Sequence, residues 1–241
     1  MHYRLGRAFH RGKYWLVLLV WPFYVVAQPD LEGVWMLDGS FGSASDSFGA
    51  GAGYTYTEAR YTAEGRRRHD AFDILTDDPS LECVPSGISR IWDNPGSPIQ
   101  FQQFNDRVTI NYEMFDLRRT IELGQQGHGL QPEPSTVNIN GQAMPTMGHS
   151  IGWYEDDAFV VETLEFAPGF LTTIRRYVPQ SAALRSIERF YRDGDRLALQ
   201  ITYIDPIVLI EPVEIEYRFR RSNYDVVEYG CVPENAGYDR R

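Results

Sequence analysis

The sequence predicts an all-β, mainly antiparallel fold: a barrel of about eight or nine strands with one short early helix, with a β-sandwich as the runner-up. Three observations carry this. From Ile99 onward, apolar and polar residues alternate with the period of two that sends side chains to opposite faces of a strand. Asp193-Gly194 lies between two such runs, the dipeptide of a tight hairpin turn. Helical signals gather at one place, where Thr62 precedes a polar stretch ending at Phe72 with Glu64 in its first turn.

The chain of 241 residues begins with Arg4, Arg7, Arg11 and Lys13, then an apolar run of thirteen residues from Tyr14 to Val26. That run falls short of the roughly 20 residues a membrane span needs. With Val25 and Ala27 small at the cleavage positions, residues 1–27 read as a secretory signal peptide and residues 28–241 as a single domain. No stable membrane anchor then remains, and the destination is the periplasm or the exterior; a short N-terminal anchor is the alternative. The leader carries four of the 23 basic residues and none of the 33 acidic ones, so its removal leaves 19 against 33, a charge of −14. Such a surface repels phosphate backbones, which argues against nucleic acid as a partner. Cys83 and Cys231 are the two cysteines; in an oxidising compartment they point to one disulfide, with two free thiols as the alternative.

Taken in order, Asp30 to Leu37 reads as the first strand. Its Gly33-Val34-Trp35 matches the G-x-W triplet of lipocalin-type barrels, in which an arginine of the last strand covers the tryptophan. The closing run, Val213 to Arg221, offers Arg218 or Arg220 for that cation–π contact, or these are a core tryptophan and surface arginines. Residues 39–53, rich in glycine, serine and alanine, form a flexible loop. After the helix, Asp73 to Gly87 carries two prolines and repeated turn residues, and wraps rather than joining a sheet. Ile99 to Phe104 and Arg107 to Leu123 follow, the latter long enough for two strands or one bent strand. A loop with three prolines, Gly124 to Pro145, leads to a hairpin over Thr146 to Glu162 that turns at Glu155-Asp156-Asp157. Leu184 to Tyr191 and Arg196 to Ile204 make another, and Pro206 and Pro212 bracket a short apolar piece before the closing strand.

Several pieces of the chain together resemble a known group: DLEGVW, YTAEGRRRHDAFD, DDPSLECVPSGISRI, DRVTINYEMFDLRRTI, MGHSIGWYEDDAFVVET, IERFYRDGDRLALQITYIDP and YRFRRS with VEYGCVPEN. The group is a widespread, largely uncharacterised set of exported bacterial proteins with a lipocalin-like, calycin-type β-barrel domain. The likeness spans most of residues 28–241 and is most specific at MGHSIG. It implies the barrel, export, and pairing of Cys83 with Cys231; it implies no particular reaction. The loops at 39–53 and 124–145 depart from the group's pattern, and both would border a pocket mouth, so the departures bear on ligand identity.

Polar residues inside alternating runs are the informative ones, because burying one without a partner costs free energy. If Arg107 to Leu123 were one unbroken strand, Asn111, Glu113, Phe115, Leu117, Arg119 and Ile121 would share a face. Glu113 and Arg119 are then candidates for the interior, as a mutually neutralising pair or as groups that read a ligand. Tyr112, on the opposite face, is a phenolic donor or a core aromatic. In the following hairpin His149, Ile151 and Trp153 share a face, as do Val160 and Glu162 on the partner strand. His149 reads either as a general acid/base oriented by Glu113, Glu162 or Asp205, or as a core histidine bonded to backbone. Asp205 follows Leu199, Ile201 and Tyr203 on one face and either enters a pocket or starts a turn; Glu188, alternating with Leu184 and Phe190, is a similar case. His69, His128 and His149 stand at no metal-ligand spacing, and nucleophile, phosphate-loop and dinucleotide motifs are absent, so neither metal nor cofactor is expected.

Three functional readings follow. In the first, the barrel encloses an apolar or aromatic small molecule among Tyr112, Phe115, His149, Ile151, Trp153, Glu162 and Tyr203, with His149, Glu113 and Arg119 reading its polar end. In the second, the same cavity performs cofactor-independent acid/base chemistry as an isomerase, lyase or hydratase. His149 moves the proton, Glu113 or Asp205 orients it, and Arg119 steadies an oxyanion. A structural or envelope-interaction role needs no pocket, and is favoured by an interior filled with side chains.

Overall fold

Alternation and turn chemistry become thirteen strands and one α-helix in the computed structural model, which describes residues 28–40, 54–92, 96–172 and 177–233. The signal peptide read over residues 1–27 lies outside them, as does the loop at 39–53 apart from Gly39 and Ser40. In chain order the strands are β1 (Gly33–Leu37), β2 (Tyr54–Tyr56), β3 (Ile99–Gln103), β4 (Arg107–Tyr112), β5 (Leu117–Leu123), β6 (Thr136–Val137), β7 (His149–Glu155), β8 (Ala158–Leu164), β9 (Gly169–Thr172), β10 (Val178–Gln180), β11 (Arg185–Asp193), β12 (Arg196–Ile204) and β13 (Val213–Ser222). The helix α1 (Ala63–Ala71) starts where the sequence places it, with Thr62 Oγ1 accepting from the Gly65 amide at 3.0 Å.

Nine of these strands close on themselves in the order β1-β3-β4-β5-β7-β8-β11-β12-β13 and back to β1, the architecture of a lipocalin-like barrel. Strand β2 adds to β13, β6 to β5, and β9 with β10 forms a separate hairpin. Every join in the barrel is antiparallel except β5–β7, which is parallel. A parallel join needs a long crossover, and residues 124–148 supply it. The proline-bearing loop of the sequence is therefore the crossover that lets β7 lie parallel to β5.

Turn chemistry decides which side chains enter. The run from Arg107 to Leu123 is not one strand: a 3₁₀ turn at Met114–Asp116, with Phe115 at φ 62° and Asp116 at φ 52°, separates β4 from β5. Tyr112 stands opposite Leu117, and Ile110 opposite Arg119, so Tyr112 and Arg119 share the inner face. Asn111 and Glu113 leave it, which corrects the unbroken-strand expectation.

Inside, aromatic rings form a connected chain. Trp92 meets Tyr112 edge-on at 5.1 Å, Phe190 at 5.7 Å and Phe219 at 6.2 Å between centroids. Phe101 and Phe159 each continue from Phe190, at 5.4 and 5.8 Å. Trp92 belongs to no strand; with Ile88 and Ile91 it is buried from the loop that follows Cys83, and these residues plug one end of the barrel. The loop that carries the plug is backed closely by the β9–β10 hairpin, since a Cβ on Gly87 would lie 2.2 Å from the Phe170 carbonyl oxygen of β9.

At the other end Trp35 donates from Nε1 to the Leu31 carbonyl at 2.9 Å, and the guanidinium carbons of Arg192 and Arg221 each lie 5.6 Å from its ring. The predicted cation–π cover is present, but not from Arg218 or Arg220. Those two alternate outward, where Arg218 pairs with Glu216 and Arg220 with Asp38. Arg221, opposite Trp35 in register, shares the inward parity of Phe219. Cys83 and Cys231 form a disulfide with their Cα atoms 5.8 Å apart, a bond that belongs to an oxidising environment. No helix among the described residues is long and apolar enough to cross a membrane.

Candidate functional site

Arg119 is the most unusual residue of the interior, a guanidinium with no solvent exposure. Its Nη2 donates to Glu188 Oε2 at 2.5 Å and to Thr163 Oγ1 at 2.8 Å, and its Nε to Ser150 Oγ at 3.0 Å. Glu188, equally buried, accepts a further bond from Trp92 Nε1 at 3.1 Å. The plug is thereby hydrogen-bonded to the ion pair. Burial opposes the charge on Arg119, but the Glu188 carboxylate more than offsets it, so the guanidinium stays protonated. Burial raises both phenols, Tyr112 and Tyr203, far beyond the ordinary tyrosine range, and keeps them as neutral donors.

Register explains why the centre is rich in hydroxyls. Ser150 of β7 pairs with Thr163 of β8, Thr163 with Ser186 of β11, and Ser186 with Tyr203 of β12. One transverse row of the barrel thus carries four hydroxyl residues in succession, with Arg119 completing it from β5. Sequence reading selected Arg119 and Tyr203 and raised Glu188, but missed Ser150, Thr163 and Ser186. Their signal was a single small polar residue at the inward phase of each strand.

The histidine hairpin turns the other way. His149, Ile151, Trp153, Val160 and Glu162 do share a face, but it is the outer one, because Ser150 and Thr163 occupy the inner phase. His149 and Glu162 therefore do not reach Arg119, and with Ile151 and Trp153 they do not line the interior. What meets His149 is His128, from the crossover, with the two Nδ1 atoms 2.8 Å apart. His128 Nε2 stands 3.6 Å from Glu162, whose other oxygen accepts from Arg185 at 2.6 Å. Burial first, and for His149 the neighbouring His128 next, lowers the pKa of both imidazoles. Twenty-one positions of sequence separate the pair, so no spacing rule could have linked them. Among the described residues no group of three or more potential ligands is arranged to hold a metal ion.

The remaining predicted residues have architectural duties. Asp205 starts a turn, accepting from the Ser181 amide and hydroxyl at 2.6 and 2.8 Å and from the Ile207 amide at 3.1 Å. Glu113 sits at the barrel rim and accepts from the Val227 amide at 3.2 Å. Asp116 accepts from the Tyr229 amide at 2.7 Å, and Phe115 lies against the Tyr229 ring at 6.0 Å. Together with the disulfide these contacts hold the segment after β13 as a strap across the ends of β4 and β5.

Between that strap and the turn at residues 138–141 lies an open groove of about 550 Å³, floored by Tyr112, Glu113, Leu117 and Arg118. Its walls present Ile139 and Val227, which are 62% and 61% exposed. Asn111, Asn138 and Asn140 supply polar edges. No family model, curated protein or solved structure matches the chain.

Proposed function

We propose that the protein is an exported barrel that binds an apolar or aromatic small molecule, and that the molecule lies in the groove beneath the C-terminal strap rather than inside the barrel. The observation that carries this is the pair of apolar side chains, Ile139 and Val227, left exposed on the two segments that line a groove of about 550 Å³. That volume falls within the range of ligand sites, which are largely apolar with a few polar groups at the edge. The interior offers less support, since Trp92 and its aromatic neighbours occupy it. Of the binding residues chosen from sequence, Tyr112 and Glu113 border this groove, and Phe115 steadies its strap through Tyr229. Export, periplasmic or beyond, belongs to the same proposal; the leader and the disulfide support it.

The test is titration with a fluorescent apolar probe such as 1-anilinonaphthalene-8-sulfonate, on the wild type and on Ile139→Asp and Val227→Asp. Both sites are solvent-exposed, so the variants should keep the wild-type melting curve. Saturable binding that weakens at least about tenfold in both supports the groove; binding unchanged in both places the site elsewhere. A second reading, proton-transfer chemistry, draws on the direct contact of His128 with His149. It predicts that His149→Ala abolishes any turnover found in a substrate screen and leaves probe binding in the groove intact.

A further inference from the structure

The groove beneath the strap holds a cation that no other side chain has claimed. Strand β5 alternates there, with Leu117 and Arg119 buried and Arg118 exposed between them. Backbone register sets Arg118 beside Asn111 of β4 and Val137 of β6, two positions before Ile139. Arg118 is the only basic residue among those that line the groove. Among the described residues its guanidinium has neither a hydrogen-bond nor an ion-pair partner. Two carboxylates share the groove and are engaged elsewhere. Glu113 accepts the Val227 amide at 3.2 Å, and Asp116 the Tyr229 and Gly230 amides at 2.7 and 3.3 Å. These bonds hold the strap; the third carboxylate of the lining, Glu228, is exposed on the strap itself.

We infer that the ligand of this groove is an amphipathic monoanion, with an apolar or aromatic body against Ile139 and Val227 and one carboxylate- or sulfonate-type head on Arg118. This rests on the reading of the groove as the binding site and adds the head group and its charge. A guanidinium only donates and keeps its proton, so the partner that complements it is an acceptor, and most strongly an ionised one. Its planar fork matches a carboxylate in particular. The head carries a single charge, because the other charged residues of the lining are Glu113, Asp116 and Glu228, and a second negative charge would meet them unopposed. Arg118 therefore sets which charge the groove accepts: without it the charged lining is wholly acidic and repels the same molecule.

Two dyes with the same ring system separate head from body. 1-Anilinonaphthalene-8-sulfonate carries one anionic group, and N-phenyl-1-naphthylamine carries none. Arg118 is exposed and unbonded, so Arg118→Gln should keep the wild-type melting curve. In fluorescence titrations it should weaken the sulfonate dye about fivefold or more and leave the neutral dye within about twofold. Ile139→Asp should weaken both dyes, since both place their rings in the groove. An unchanged Kd for the sulfonate dye in Arg118→Gln, with Ile139→Asp still weakening both, overturns the inference and leaves the groove as the binding site. An equal loss of both dyes in Arg118→Gln also overturns it, because Arg118 would then shape the groove rather than read charge. If Ile139→Asp disturbs neither dye, the groove reading itself fails, and this inference with it.

Discussion

Arg119 and Glu188 meet at 2.5 Å in the middle of the barrel, both fully excluded from solvent, and Trp92 of the plug donates to the same carboxylate. A pair so placed is costly to break and need not be costly to replace. Arg119→Met strands the Glu188 charge and should lower the free energy of unfolding by about 3–5 kcal/mol. Arg119→Met combined with Glu188→Leu removes both charges and should recover most of that loss. Urea denaturation of the two single variants and the double one measures it. A double variant no more stable than Arg119→Met would show that the neighbouring hydroxyls, rather than the stranded charge, set the cost.

The seating of the plug rests on Gly87. A methyl group there would meet the Phe170 carbonyl at 2.2 Å, which is backbone and cannot rotate away. Gly87→Ala should therefore cost about 1–3 kcal/mol, the range for overpacking a closed interior. Its signature is local, with weakened near-ultraviolet circular dichroism from the Trp92 cluster and retained far-ultraviolet strand signal. Wild-type spectra and stability for this variant would mean that the plug is not closely seated.

Acid should destabilise the fold through the histidine pair. Both imidazoles have folded-state pKa values lowered from 6.5, burial being the first cause, with Glu162 and Glu165 opposing at His128 and Glu122 and Glu165 at His149. As pH falls below that value the unfolded chain takes up protons before the folded one does. Stability is thus full above about pH 6.5 and declines as pH falls through the unfolded-state pKa towards the lower folded-state values. The contact itself needs one Nδ1 as donor and the other as acceptor, so double protonation breaks it. Urea midpoints taken from about pH 7.5 to about pH 5.5 should fall in the wild type and flatten in a His128→Asn/His149→Asn variant. Equal slopes would show that other groups carry the acid sensitivity.

The positions of most strands and of the helix were legible in the sequence because alternation, hairpin turns and the Thr62 cap are local signals; the parallel join of β5 to β7 was not, since no local signal marks a crossover partner. Facing was legible only where the strand ran unbroken. The turn at residues 114–116 reverses the phase between Tyr112 and Arg119, so an argument that correctly brought Arg119 inside also carried in Glu113, which sits at the rim. Nothing in the hairpin that contains His149 marks which face is inner, since both faces carry large apolar groups, among them Ile151 outside and Phe159 inside. The partner that settles His149's surroundings, His128, arrives on an irregular crossover that periodicity does not describe. The groove is a meeting of two loop segments; the sequence marked one of them, residues 124–145, as the border of a pocket mouth, but no local signal joined it to the strap that carries Val227.

The disulfide should matter more to the groove than to the barrel. By loop entropy alone, a bond closing a separation of 148 residues is worth about 5 kcal/mol. That figure assumes an otherwise unchanged native state, whereas Cys231 lies on the strap, past the end of β13 at Ser222. The strap between Val227 and Gly230 is tied to the barrel by hydrogen bonds that its backbone amides donate to the Glu113 and Asp116 carboxylates. With Cys231→Ser those exposed bonds do not offset the strap's conformational entropy, and the native state relaxes by releasing it. The measured loss of stability should then be well under about 5 kcal/mol. Hydrogen exchange reads this directly: the Val227, Tyr229 and Gly230 amides should exchange at unfolded-chain rates while those of β4 and β5 stay protected. The apolar probe should lose its groove in the same variant, since the strap that carries Val227 is one of its two lining segments. Retained protection at Tyr229 would instead mean that Asp116 and the Phe115 ring suffice to hold the strap, and the disulfide's contribution would then lie in the unfolded chain.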